Sequence, residues 1–153
     1  MTIQPGTNLA DDMRVVIYAH FASEGVAPTI EQLAVMMKIS SPQVRETLLR
    51  LAARRALVLD AHTGEIWMAA PFSAVPTRYR VHGATTSWWA NCAWDMLGIP
   101  AAVGQSVRVD TTCPDCEESL EVLVDAEKGP SMDGGLVHFL VPASRWYDDI
   151  GFT

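Results

Sequence analysis

Basic residues are scarce in this 153-residue sequence, with 11 Lys and Arg against 18 Asp and Glu and a formal net charge of −7. A chain of that sign lacks the cationic surface that phosphate neutralisation needs, which argues against nucleic-acid binding by the chain as a whole. Cysteine is also scarce. Three residues, an odd number, do not make a secreted disulfide framework and fit reduced thiols in the cytoplasm. No apolar run approaches the roughly 20 residues of a membrane span. Residues 1–8 lack the basic-then-apolar layout of a signal peptide. There is no internal repeat and no low-complexity tract. The expectation is a soluble cytoplasmic protein with no membrane partner.

What is present suffices for a core: 49% of residues are hydrophobic and 19% charged. The length suits one average domain or two small ones. Residues 1–70 read as a helical unit. Met13, Val16, Ile17 and Phe21 fall at helical spacing within 11–23. Thr29 and Gln32 form a capping-box pair ahead of Leu33, Met36 and Met37. Ser41-Pro42 opens a third helix with Val44, Leu48, Leu49 and Leu51 on its apolar side. Two short strand-like runs, 57–59 and 66–68, flank the turn residues His62-Thr63-Gly64-Glu65. Three helices and a hairpin make a winged helix-turn-helix pattern. Its third helix carries Arg45, Arg50, Arg54 and Arg55. DNA binding is one reading of these arginines; a solvated face on a packing module or lid is the other.

Residues 71–76, with Pro71 and Pro76 around small residues, read as a linker. Residues 77–153 then read as a mixed, mostly antiparallel sheet domain with one buried helix. Strands are expected at 78–81, 106–110, 120–124 and 136–141, with turns at Cys113-Pro114-Asp115-Cys116 and 127–135. The fold class is therefore α+β, a winged-helix-like unit followed by the sheet domain.

The segment richest in chemistry is Trp88-Trp89-Ala90-Asn91-Cys92-Ala93-Trp94-Asp95-Met96-Leu97-Gly98-Ile99-Pro100. It reads as a helix capped by Ser87 and stopped at Gly98, with Pro100 beyond. Positions i and i+3 share a helix face, so Cys92 and Asp95 point into one space. A soft nucleophile beside a proton donor, walled by indole rings, suits chemistry on a soft metal bonded to carbon. A buried core cysteine and a solvated aspartate on an amphipathic helix fit the same spacing.

The stretch Trp89-Ala90-Asn91-Cys92-Ala93-Trp94-Asp95-Met96-Leu97 resembles the cysteine helix of the organomercurial (alkylmercury) lyase family. Ile99-Pro100, Gly104, Val107-Arg108-Val109 and Cys113-Pro114 follow in the order of that family, and Trp146-Tyr147-Asp148-Asp149-Ile150-Gly151-Phe152-Thr153 is similar to its C-terminal stretch. The resemblance implies protonolytic cleavage of carbon–mercury bonds, with no added cofactor and mercury as the metal of the substrate. Cys92 then matches the mercury-capturing cysteine, Asp95 the proton-transferring aspartate, and Cys113 a position usually structural. The small-molecule partner is an organomercurial, and external thiols release the product. The family's second catalytic cysteine is expected directly after Thr153, where this sequence stops. The expectation is either a shortened version of a longer protein or a variant without that thiol.

Cys113-Pro114-Asp115-Cys116 permits further readings. Two thiolates at this spacing are half of a structural zinc site, to be completed by His82, His138 or Asp95. Alternatively, Cys113 or Cys116 supplies the second thiolate for mercury, or the two are simply packed thiols in a turn. A reading from another class also stands: a non-catalytic thiol metal-binding protein, or a winged-helix metal-responsive regulator. His20 and His62 have no evident partner, and Asp148-Asp149 reads as a charged loop.

Overall fold

The computed structural model describes residues 8–131 and 135–151. The expectations about an N-terminal leader and about the position after Phe152-Thr153 fall outside these residues. The architecture is α+β. Three helices, α1 (Leu9–Glu24), α2 (Ile30–Met37) and α3 (Ser41–Ala53), precede the strands β1 (Val58–Leu59), β2 (Ile66–Ala69), β3 (Phe72–Ser73), β4 (Arg80–His82) and β5 (Ser87–Ala90). Helix α4 (Ala93–Val103) follows, then β6 (Val107–Thr112), β7 (Ser119–Asp125), β8 (Gly129–Pro130) and a 3-10 turn (Ala143–Asp148). Among the described residues the strands form one sheet, ordered β1-β2-β3-β5-β4-β6-β7-β8, with every pair antiparallel.

Local chemistry explains the helices. Asn8 caps α1 by accepting from the Ala10 N–H at 3.2 Å, and Asp11 and Asp12 suit the positive end of the helix dipole. The buried face is Ala10, Met13, Ile17 and Phe21. Gly25 ends the helix at φ +77, and a Cβ there would stand 2.3 Å from the Ser87 carbonyl oxygen. Only glycine satisfies both the left-handed backbone and this close approach of α1 to β5. The Thr29–Gln32 capping box is present. At α3 the cap is Ser40, whose N–H donates to the Gln43 side chain at 3.0 Å, one residue earlier than expected.

Several expected elements take a different form. Trp88 and Trp89 are strand residues, because β5 pairs with both β3 and β4 before the chain turns into α4. Ser87 is therefore not a helix cap. The helix does not stop at Gly98 but runs through Pro100 to Gly104, whose φ of +67 makes the left-handed C-cap. Burial of Met96, Ile99 and Pro100 against the sheet holds this helix despite the bond lost at proline. Its opposite side is open, with Trp94 60% exposed, so α4 is buried on one face only. Within the expected linker, Phe72 is buried and stacks on Phe21 with ring centroids 5.2 Å apart, which draws Phe72–Ser73 into the sheet as β3.

Residues 136–141 do not form a strand. The edge beyond β7 is taken by β8, and Leu136 and Leu140 stay exposed while Phe139 turns to meet Trp94 and Trp146. The Cys113 turn between β6 and β7 stands where expected.

Trp88 ties the helices to the sheet. It is buried, and its indole N–H donates to the Phe21 carbonyl oxygen at 2.7 Å. Substituting Trp88→Phe removes the indole bond, leaving the Phe21 carbonyl with the Gly25 N–H alone, and removes buried ring volume. We expect destabilisation of about 1–3 kcal/mol, read as a lower urea midpoint; an unchanged midpoint would show that this bond does not hold α1 to β5.

Candidate active site

Strand β5 delivers Asn91 and Cys92 to the start of α4. Cys92 is the N-cap residue, in an extended conformation at φ −147 and ψ −179. Asp95 is in the first turn of the helix. N-cap and N3 side chains meet in a capping box, and here the same geometry joins a thiol to a carboxyl. The Asp95 carboxyl lies within hydrogen-bonding reach of the Cys92 thiol, and the sulfur faces the free N–H groups of Trp94 and Asp95. The pair expected from sequence is thus brought together, by a cap rather than by a shared helix face. Asn91 donates from Nδ2 to Asp95 Oδ2 at 3.0 Å and fixes the carboxylate.

Burial dominates the electrostatics. It pushes the Cys92 thiol above its ordinary value, the nearby Asp95 charge adds to the rise, and the first-turn N–H groups oppose it. Burial also raises the Asp95 carboxyl, against the hydrogen bonds from Asn91 and Cys92. The pair therefore holds its protons more firmly than free side chains do. Tyr18 of α1 stands close enough to feel the Asp95 charge, and its hydroxyl donates to the Ala70 carbonyl at 2.9 Å. Tyr79 feels the Cys92 charge. Both phenols are raised by burial.

The tryptophans do not wall Asp95 as expected. Trp88 is committed to the core, and Trp89 lies under the Arg80 guanidinium at 4.4 Å. Trp94 borders an open apolar groove of about 620 Å³ with Phe139, Val141, Pro142 and Trp146. Trp94, in the first turn of α4, brings this groove to the start of the helix. The C-terminal segment closes its far side, with the Trp146 indole donating to the Val141 carbonyl at 3.0 Å and the Tyr147 hydroxyl donating to the Arg55 carbonyl at 3.0 Å.

Asn91, Tyr18 and Tyr79 were missed from sequence as site residues. Asn91 carries a usable signal, four residues from Asp95, whereas Tyr18 is contributed by a distant helix and has none. Cys113 and Cys116 lie apart from the pair, in the β6–β7 turn, free and at least partly exposed. Backbone N–H groups of Cys116 and Asp115 lower the Cys113 thiol. Among the described residues no three His, Cys, Asp or Glu side chains group to hold a metal, so the zinc reading lacks its further ligands. His82 is instead engaged by Asp110 at 2.9 Å and Ser87 at 3.2 Å. Arg45 donates to the Thr63 carbonyl, Arg50 pairs with Glu46 and Arg55 covers Tyr147. Asp148 pairs with Arg145, as a loop charge does. No described helix is long and apolar enough to cross a membrane.

The raised thiol has a measurable consequence. In a Cys113→Ser, Cys116→Ser background, alkylation of Cys92 should show a pH midpoint above that of a free cysteine. Asp95→Asn removes the carboxylate repulsion and should move the midpoint down. A midpoint unmoved or raised by Asp95→Asn would separate the two groups.

Comparison with known proteins identifies the family. The sequence profile of the alkylmercury lyase family, MerB, matches residues 72–152, more than half of the chain. The crystal structure of the mercury-bound form of MerB2 superposes with a TM-score of 0.62 at 24% identity, covering 78% of this chain. The present chain spans 57% of the length of that protein. No curated protein matches the sequence. With a cysteine and an aspartate joined at the start of α4 and the family profile extending from β3 through the C-terminal segment, the chain belongs to the alkylmercury lyase family.

Proposed function

We propose that the protein cleaves carbon–mercury bonds by protonolysis, with Cys92 as the mercury-capturing nucleophile and Asp95 as the proton donor to carbon. The observation that carries this reading is the thiol within hydrogen-bonding reach of a partly buried carboxyl. Mercury is soft, and thiolates outcompete nitrogen and oxygen for it. The Cys92 thiol resists ionisation by itself, so formation of the sulfur–mercury bond drives its proton off. Asp95 receives that proton without a step through bulk water. Its raised proton affinity suits it to hold the proton as a neutral acid beside the bound organomercurial. The proton then passes to carbon and the carbon–mercury electron pair becomes the new carbon–hydrogen bond. Hydrocarbon leaves, and mercury(II) stays on the Cys92 thiolate.

These steps balance without a cofactor. A small external thiol completes the mercury coordination and carries the product away. We take an external thiol, rather than Cys113, as the second ligand of the same ion. Arg80 pairs with both Trp89 and Asp110, and Cys92 and Cys113 each lie three residues further toward the same sheet end. Two strand spacings put their backbones about 10 Å apart at this register, near the limit that two cysteine side chains on one mercury bridge. A reduced thiol at Cys92 suits the cytoplasm.

We read residues 1–70 as a winged-helix-like unit that acts as a wall of the site, since α1 docks on β5 through Trp88 and its Tyr18 feels the Asp95 charge. Residues 77–153 then carry the reacting groups, with 71–76 as the join.

The test is hydrocarbon release from phenylmercury or methylmercury in excess monothiol, followed by gas chromatography. The unsubstituted protein should release benzene or methane, and Cys92→Ser should fall to the uncatalysed level. Asp95→Ala should lose on the order of 10²–10⁴-fold in rate, the range of a positioned proton donor. Cys92→Ser protein working at the unsubstituted rate would overturn the assignment.

A further inference from the structure

The β6–β7 turn holds the other two thiols in an arrangement that the cleavage reaction does not use. Cys113 and Cys116 are free, and Cys116 is exposed. The turn is closed by two backbone bonds, Cys113 N–H to the Glu118 carbonyl at 2.8 Å and Glu117 N–H to the Cys113 carbonyl at 2.9 Å. Glu117 adopts φ +58, a left-handed conformation that folds the chain back into β7. The two thiols are within hydrogen-bonding reach of each other, and the Cys113 sulfur also faces the N–H groups of Asp115 and Cys116. A loop whose ends are fixed by a strand pair and two internal bonds presents a preformed two-sulfur chelate.

We infer that Cys113 and Cys116 together form a second soft-metal site, one that holds mercury(II) between two thiolates. Two sulfurs, with no group of three or more candidate ligands among the described residues, suit mercury(II) better than zinc. Zinc requires about four ligands in a tetrahedral set, whereas mercury(II) is satisfied by two sulfurs in line. Binding is simple ligand exchange without redox change: two sulfur–mercury bonds form, two thiol protons leave to solvent, and the ion's former ligands depart. The inference rests on the proposed reading only for the identity of the metal. With this turn at the same sheet end as Cys92, about 10 Å away across two strands, mercury carried off Cys92 by a small thiol meets a two-sulfur acceptor beside the site. One-sulfur carriers lose to it because the second bond is intramolecular.

The experiment uses reduced full-length Cys92→Ser protein, which removes the cleavage site and makes the result independent of lyase activity. Mercuric chloride is added in the presence of excess 2-mercaptoethanol, followed by desalting, native mass measurement and a count of free thiols. One mercury per chain, both remaining thiols blocked and two protons released per ion are expected. Adding Cys113→Ser or Cys116→Ser should weaken retention on the order of 10²-fold, as loss of an intramolecular second contact does. Circular dichroism checks that these substitutions in an exposed turn leave the fold intact. Zinc chloride offered in the same way should be lost on desalting. Absence of retained mercury, retention unaffected by Cys113→Ser, or retention of zinc would each overturn the two-sulfur site.

Discussion

The contact between the Cys92 thiol and the Asp95 carboxyl depends on where a strand ends and a helix begins. Strand β5 must stop at Ala90 and α4 must start at Ala93 for a cap residue and a first-turn residue to face each other. A helix starting a turn earlier would place the same two residues inside it and deprive the sulfur of the free first-turn N–H groups. The junction is held on both sides. The β3 and β4 pairings fix β5, and burial of Met96, Ile99 and Pro100 fixes α4. The chemistry therefore rests on a sheet register and a helix face, neither of which contains a reacting group.

The helical unit matters to the site through two close approaches to β5. Gly25 allows α1 to meet the Ser87 carbonyl, and Trp88 reaches back to the Phe21 carbonyl. Together they seat α1, which carries Tyr18, against the sheet. Burial has opposite consequences for Cys92 and Asp95. It makes the thiol a poorer spontaneous nucleophile and makes the carboxyl a better proton carrier. A reaction in which metal binding expels the thiol proton and the carboxyl keeps it uses both consequences.

Much of this was readable from residues. Amphipathic spacing and caps located α1 to α3, and the Cys92–Asp95 spacing singled out the pair proposed to react. The tryptophans misled, because an aromatic run followed by a helix former reads as one helix when the sheet that claims Trp88 and Trp89 is unseen. Gly98 and Pro100 misled for a related reason: local breakers yield when a buried face continues past them. Leu136 and its neighbours carry a strand pattern but do not join the sheet, where the two-residue β8 pairs with the end of β7. Tyr18 illustrates what no local pattern holds, a side chain brought to Asp95 from a helix far earlier in the chain.

The most direct test of the central claim is intact-protein mass measurement after one equivalent of a phenylmercury salt, in the Cys113→Ser, Cys116→Ser background without external thiol. The account predicts that protein with Asp95 intact gains mercury alone as benzene is released. The Asp95→Asn form should instead accumulate the whole phenylmercury adduct on Cys92. Mercury without phenyl on the Asp95→Asn protein at the same rate would contradict proton delivery by Asp95.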